Sequence, residues 1–166
     1  MKRIISLSIL LLFVFLPVLS SCGPDAQYRN DVSVSQLAEQ ILNSFGGSDS
    51  DFEEAESDYY TVNIGNPENL ESYTILLPKQ SGNFSEIGIC KIKKGANASD
   101  VEKSVRTYIE SQQKKLASFL SSYEPAEVEK IQNASVKVYG DYVIYFFLTK
   151  ADQSRAYSAV ESALKV

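Results

Sequence analysis

"SVKVYGDYVIYFFL", Ser135–Leu148, decides how this chain folds. Gly140-Asp141 is the kind of pair that a two-residue hairpin turn demands, and β-branched and aromatic residues run away from it on both sides. The hairpin sets Val138 opposite Val143 and Val136 opposite Tyr145, so these four share one face. Tyr142, Ile144, Phe146 and Leu148 take the other, because strand side chains alternate. Both faces are apolar. An antiparallel strand with one wet face alternates apolar with polar, so either helices cover both sides of this sheet or one side meets a partner.

The covering helices can be read outward from the hairpin. "SVSQLAEQILNSFGG" places Val34, Leu37, Ala38, Ile41, Leu42 and Phe45 at helical spacing, with Ser33 or Ser35 to start the helix and Gly46-Gly47 to stop it. Ser99-Asp100-Val101-Glu102 has the form of a capping box. Val101, Val105, Tyr108, Ile109, Leu116, Phe119 and Leu120 carry an apolar stripe from there to about Ser122. "YEPAEVEKIQNA" reads as a short helix with Pro125 in its first turn. "TKADQSRAYSAVESALKV" is the last helix, with Ala156, Tyr157, Val160 and Leu164 facing inward. Before the long helix, a turn at Gly65-Asn66-Pro67 and a helical turn about Glu68–Leu70 precede two strands, Tyr73–Leu77 and Glu86–Lys93. "SGNF" joins these as an antiparallel pair.

The order is α-β-β-α-β-β-α, an α+β domain of two hairpins in a mostly antiparallel sheet with helices packed on it. Three amphipathic helices suffice for one face of four strands and part of the other. If one face stays open, Tyr142, Ile144 and Phe146 form a surface for a partner or a second copy. The tyrosines of this hairpin, Tyr139, Tyr142 and Tyr145, serve either plain packing or a ligand platform.

The chain starts differently. "ISLSILLLFVFLPVLSSCGPD", Ile5–Asp25, follows the positive Met1-Lys2-Arg3. Its apolar core, Ile4–Leu19, falls short of the ~20 residues of a spanning helix and is interrupted by Pro17. This is the pattern of an export signal. Leu19-Ser20-Ser21-Cys22 resembles the bacterial lipobox, in which the cysteine thiol takes a diacylglyceryl group and cleavage makes that cysteine the new N-terminus. Residues 1–21 are then a lipoprotein signal peptide, 22–32 a lipidated Cys22 with its tether, and 33–166 one domain. Two acyl chains are about the minimum for stable anchoring, so the expected location is extracytoplasmic, on the outer face of the cell membrane.

Composition removes several classes of function. The 166 residues carry a net charge of −5. Without Lys2 and Arg3, 14 basic face 21 acidic side chains, a net −7, which repels phosphate backbones and argues against nucleic acid as a partner. Histidine is absent, and with it Ser-His and Cys-His catalysis and the commonest metal ligand. Phosphate-loop, dinucleotide and G-x-S-x-G patterns are missing too. No catalytic residue, cofactor or metal site is assigned. The acidic run "SDSDFEEAESD", 48–58, lacks the glycine and distal glutamate of an EF-hand loop and reads as a solvated loop or short helix. With Cys22 acylated, Cys90 has no disulfide partner and reads as a small buried hydrophobe.

"LAEQIL", "ESYTILLP", "EIGICKIKKGANASDVEKSVRTYIESQ", "SYEPAEVEKIQNA" and "VKVYGDYVIYFF" together resemble the small bacterial lipoproteins of domain of unknown function 4358. The resemblance implies an exported, membrane-anchored protein of Gram-positive-type bacteria and brings no activity, substrate or catalytic residue with it. The expectation is a non-enzymatic domain that contacts an envelope protein or itself. A solute-binding accessory to a transporter is the alternative, and an envelope hydrolase using two carboxylates a more distant one.

Overall fold

The chain runs α1 (Val34–Phe45), β1 (Phe52–Glu54), α2 (Tyr59–Asn63), a 3-10 turn (Pro67–Asn69), β2 (Leu70–Pro78), β3 (Glu86–Ile92), α3 (Ala98–Leu116), α4 (Pro125–Gln132), β4 (Ser135–Tyr139), β5 (Tyr142–Phe147) and α5 (Lys150–Leu164). This is a computed structural model, and it describes residues 27–116 and 125–166. All strand pairs are antiparallel, in the order β1-β2-β3-β5-β4. The two expected hairpins, β2/β3 and β4/β5, are therefore joined through β3 and β5. That junction pairs β5 on both sides, with β3 and β4, and all six of its residues are buried. The Gly140-Asp141 turn stands as read, with Gly140 at φ 57° and Val138 opposite Val143.

Each face of the sheet has its own core. On one, α1 and α5 pack over Ile87, Ile89, Tyr142, Ile144, Phe146 and Leu148. On the other, α2 and α3 cover Ile75, Cys90, Val143, Tyr145 and Phe147 through Tyr60, Val101, Val105, Tyr108 and Ile109. The partner surface expected at Tyr142, Ile144 and Phe146 is thus corrected, because all three are 0% exposed. The physical reason is that α1 and α5 share one face, and the remaining helices close the other. Burying an Ile or Phe side chain is worth about 1.5–3 kcal/mol, so this face belongs to the core.

Three local expectations also shift. The tether was expected to run to Val32, yet the chain is bound to the domain from Gln27 onward. Arg29 N donates to Leu164 O at 2.8 Å, Val166 N to Gln27 O at 3.1 Å, and Tyr142 Oη to Val32 O at 2.6 Å. The buried Tyr142 hydroxyl needs an acceptor, and the Val32 carbonyl supplies it. At α3, Asn97 replaces Ser99 as the cap, its Oδ1 accepting from Ser99 N at 3.0 Å. Phe119 and Leu120 lie outside the described residues. Phe52–Glu54, within the run expected to be a loop or short helix, is an edge strand paired with Leu76–Pro78. Helix α1 has the expected start, with Ser33 and Gln36 forming a capping box.

Candidate functional site

Strand periodicity puts Glu86 on the same face as Gly88 and Cys90, where a carboxyl enters the core of the α3 side. Glu86 stands opposite Phe147, and Gly88 opposite Tyr145. A Cβ on Gly88 would lie 1.8 Å from Cε1 of Tyr145, so the tyrosine ring lies flat over the glycine. That space lets the ring run along β3 until its hydroxyl donates to Glu86 Oε1 at 2.6 Å. Gly88 is needed here for room, since its φ is not positive.

Two more phenols complete the cluster. Tyr108 of α3 donates to Glu86 Oε2 at 2.8 Å, and Tyr59 of α2 reaches the same oxygen at 3.2 Å, with 2.9 Å between the two hydroxyls. Tyr145 and Tyr108 are buried, and Tyr59 is half-buried. Burial drives the Glu86 carboxyl above its ordinary 4.5, and the three O–H donors, which favour the anion, only partly oppose this. The phenols rise as well, chiefly by desolvation and then through the neighbouring carboxyl. The group is a single protonatable acid held among fixed donors, and it ties α2 and α3 to the sheet.

Glu86, Tyr59 and Tyr108 line a cleft of about 550 Å³, and Tyr145 is fully buried behind Glu86. Asn63 of α2, the β2–β3 loop from Gln80 to Ser85, and Gln112 and Lys115 of α3 surround it. The loop is pinned from α4. Glu127 Oε2 accepts from Phe84 N at 2.7 Å, while Lys130 Nζ donates to Asn83 Oδ1 at 2.8 Å and to Glu127 Oε1 at 2.6 Å. Lys130 is buried, so the clamp is shielded from solvent and sets the rim before anything binds. A second cleft of about 570 Å³ adjoins the first, sharing Tyr59, Asn63 and Leu77, and is lined by Glu53, Glu54, Glu56 and Asp58.

The cleft lies at one end of the sheet and the entry of the chain at the other. Tyr28 packs edge-on against Tyr139 and closes on Gly140, and Asn30 contacts Asp141. Strand β5 runs from that pole at Tyr142 to the cleft at Phe147, roughly 17 Å at ~3.3 Å per residue.

Of the residues singled out from sequence, Cys22 lies outside the described residues, and Tyr142, Ile144 and Phe146 are core. Cys90 is buried, with its thiol pushed up to about 12 by desolvation. Tyr145 serves the cluster, whereas Tyr139 packs against Tyr28 and Tyr157. Among the described residues no three His, Cys, Asp or Glu side chains converge to hold a metal, and no helix is long and apolar enough to cross a membrane. Glu86, Tyr59, Tyr108 and the clamp were not singled out from sequence. The available signal was a carboxyl two and four residues from Gly88 and Cys90, in an inward register.

No curated protein and no solved structure matches the chain. The family model described as Domain of unknown function (DUF4358) matches residues 37–148, from α1 to the end of the β4/β5 hairpin, so the Glu86 cluster, Gly88 and the α4 clamp all fall within the match. The chain belongs to that family.

Proposed function

We propose that this is an exported lipoprotein, acylated on Cys22 and held on the outer face of the cell membrane, whose domain binds a ligand in the Glu86 cleft without transforming it. The observation that carries the binding reading is the pre-set cleft: a buried carboxyl beside two lining phenols, Tyr59 and Tyr108, and a loop clamped by Glu127 and Lys130 as rim. Its volume is that of ligand pockets in general. One carboxyl, Glu86, appears among the described lining residues, and its oxygens are held by tyrosines, which suits binding better than paired-carboxylate hydrolysis.

The lipobox-like Leu19-Ser20-Ser21-Cys22 supports the anchor. From Cys22 to Gln27 the backbone reaches about 18 Å at most. The entry pole would therefore face the bilayer and the cleft would open away from it. This orientation favours a ligand from the outer side, and it suits a solute-binding accessory as well as a receptor for a larger envelope component.

The test compares the wild type with Cys22→Ala by detergent phase partition of whole cells. The wild type is expected in the detergent phase and the variant in the aqueous phase or the medium. Equal retention of both in the detergent phase contradicts the anchor.

A further inference from the structure

We propose that the Glu86 cleft receives a zwitterionic peptide of two or three residues, its ammonium held at Ser85 and Glu86 and its carboxylate at Lys115; this rests on the reading of that cleft as a binding site. Ser85 is the residue that asks for a ligand. It is 6% exposed and lines the cleft, and its side chain makes no hydrogen bond among the described residues. No fully shielded side-chain oxygen or nitrogen among those residues lacks a partner, so the Ser85 hydroxyl keeps an opening, and the opening is the cleft that Ser85 lines. A hydroxyl buried to this degree is ordinarily bonded, and a ligand atom supplies the missing partner.

The groups around Ser85 favour a cation. Three phenols take three of the about four acceptor positions of the Glu86 carboxylate, and one is left. Asn63 spends its Nδ2 on Tyr59 O at 3.0 Å, and its Oδ1 is left to accept. An ammonium group brings three donors and no acceptor. Beside Glu86 it also offsets the burial that opposes a charge on that carboxyl.

The opposite charge stands farther along α3. Tyr108, Gln112 and Lys115 follow at i, i+4 and i+7, so they share a face of the helix, and all three line the cleft. Tyr108 is bonded to Glu86, and Lys115 lies about 10.5 Å beyond Tyr108 along the helix axis. An extended chain spans ~3.3–3.6 Å per residue, so two or three residues, met by the flexible lysine stem, join the two charges. Glu86 and Lys115 are the two charged side chains in the described lining. The side chains of Gln80, Gln112 and Lys115 make no hydrogen bond among the described residues. The two amides can both donate and accept, as the peptide groups between the ligand's ends do.

Other ligand classes fit this lining less well. A lone carboxylate would meet Glu86 with like charge. An apolar molecule would leave Ser85 and the amides without partners. A peptide adding itself as a strand has no place here, because β3 is paired on both sides by β2 and β5.

The test is calorimetric titration of the full-length protein in detergent micelles with trialanine, N-acetyl-trialanine and trialanine amide. Trialanine is expected to bind, and each blocked form to bind more weakly. Ser85→Ala should weaken trialanine about tenfold and leave the N-acetyl form unchanged, since that form has no ammonium to lose. Lys115→Ala should weaken trialanine about fivefold, the scale of an exposed ion pair, and leave the amide form unchanged.

Failure of trialanine to bind, or either blocked form binding as tightly as trialanine, overturns the proposal. A parallel thermal-shift panel of uncharged hydrophilic solutes separates the two levels. If trialanine fails but one of these solutes stabilises the protein and Ser85→Ala abolishes the effect, the peptide assignment falls and the cleft remains a binding site. If nothing in either set binds, both fall.

Discussion

Replacing Gly88 by alanine places a methyl carbon 1.8, 2.2 and 2.5 Å from Cε1, Cζ and Cδ1 of Tyr145, where carbon atoms need about 3.5–4 Å. The ring has little room to yield, since it packs edge-on against Tyr108 at 6.0 Å and Phe147 at 6.3 Å. It must leave the position from which its hydroxyl reaches Glu86 at 2.6 Å. Overpacking costs about 1–3 kcal/mol, and losing a hydrogen bond to a carboxyl about 1.5–3 kcal/mol. Alanine's smaller entropy cost in a strand returns about 0.5–1 kcal/mol. The net expectation is a loss of about 2–5 kcal/mol, a large share of an ordinary domain's 5–15 kcal/mol.

Urea unfolding of the full chain in micelles measures this loss, and a double-mutant cycle with Tyr145→Phe assigns its origin. Both single changes remove the same hydrogen bond, so the double variant should lose less than the sum of the two by about 1.5–3 kcal/mol. A cost for Gly88→Ala below about 0.5 kcal/mol, or strict additivity in the cycle, would refute the claim that the glycine makes room for the tyrosine to reach the acid.

Three further outcomes follow from the same geometry. The folded-state pKa of Glu86 lies above its ordinary 4.5, so its protonated form contributes stability below about pH 4.5, and this is lost as pH rises through the folded value. Glu86→Gln should therefore flatten the decline of the unfolding free energy across that window, and a parallel pH profile for the two proteins would contradict it. Lys130→Met removes the cation between Asn83 and Glu127, at a cost of about 1.5–3 kcal/mol. It should open the 79–85 loop to limited proteolysis; an unchanged digestion pattern would show that the clamp does not hold the rim. Ile144→Asp buries an unpaired charge at a fully enclosed site. Circular dichroism should report an unfolded chain, and a native spectrum would restore the open-face reading of the hairpin.

The β4/β5 hairpin was legible because Gly140-Asp141 fixes the turn and its flanks keep a period of two, both local properties. Helix α1 was legible through its apolar spacing, a serine at its start and the glycine pair after it. The fate of Tyr142, Ile144 and Phe146 was not, since it depends on α1 and α5 packing on the same face, a tertiary choice that no single helix encodes. Phe52–Glu54 is too short to show a period and gains its strand character from Leu76–Pro78 beside it. Glu86 opens its strand on the face of Gly88 and Cys90, and no local pattern says that this end of the strand is covered. Its burial follows from β5 inserting beside β3, which brings Tyr145 over Gly88 and leaves the acid beneath α2 and α3.

The account's central claim, a lipid-anchored binding domain, is tested most directly by the mass of the N-terminal peptide of the mature protein extracted from membranes. It predicts a peptide that begins at Cys22 and carries a diacylglyceryl thioether. A mature chain that begins elsewhere, or an unmodified Cys22 thiol, would contradict it.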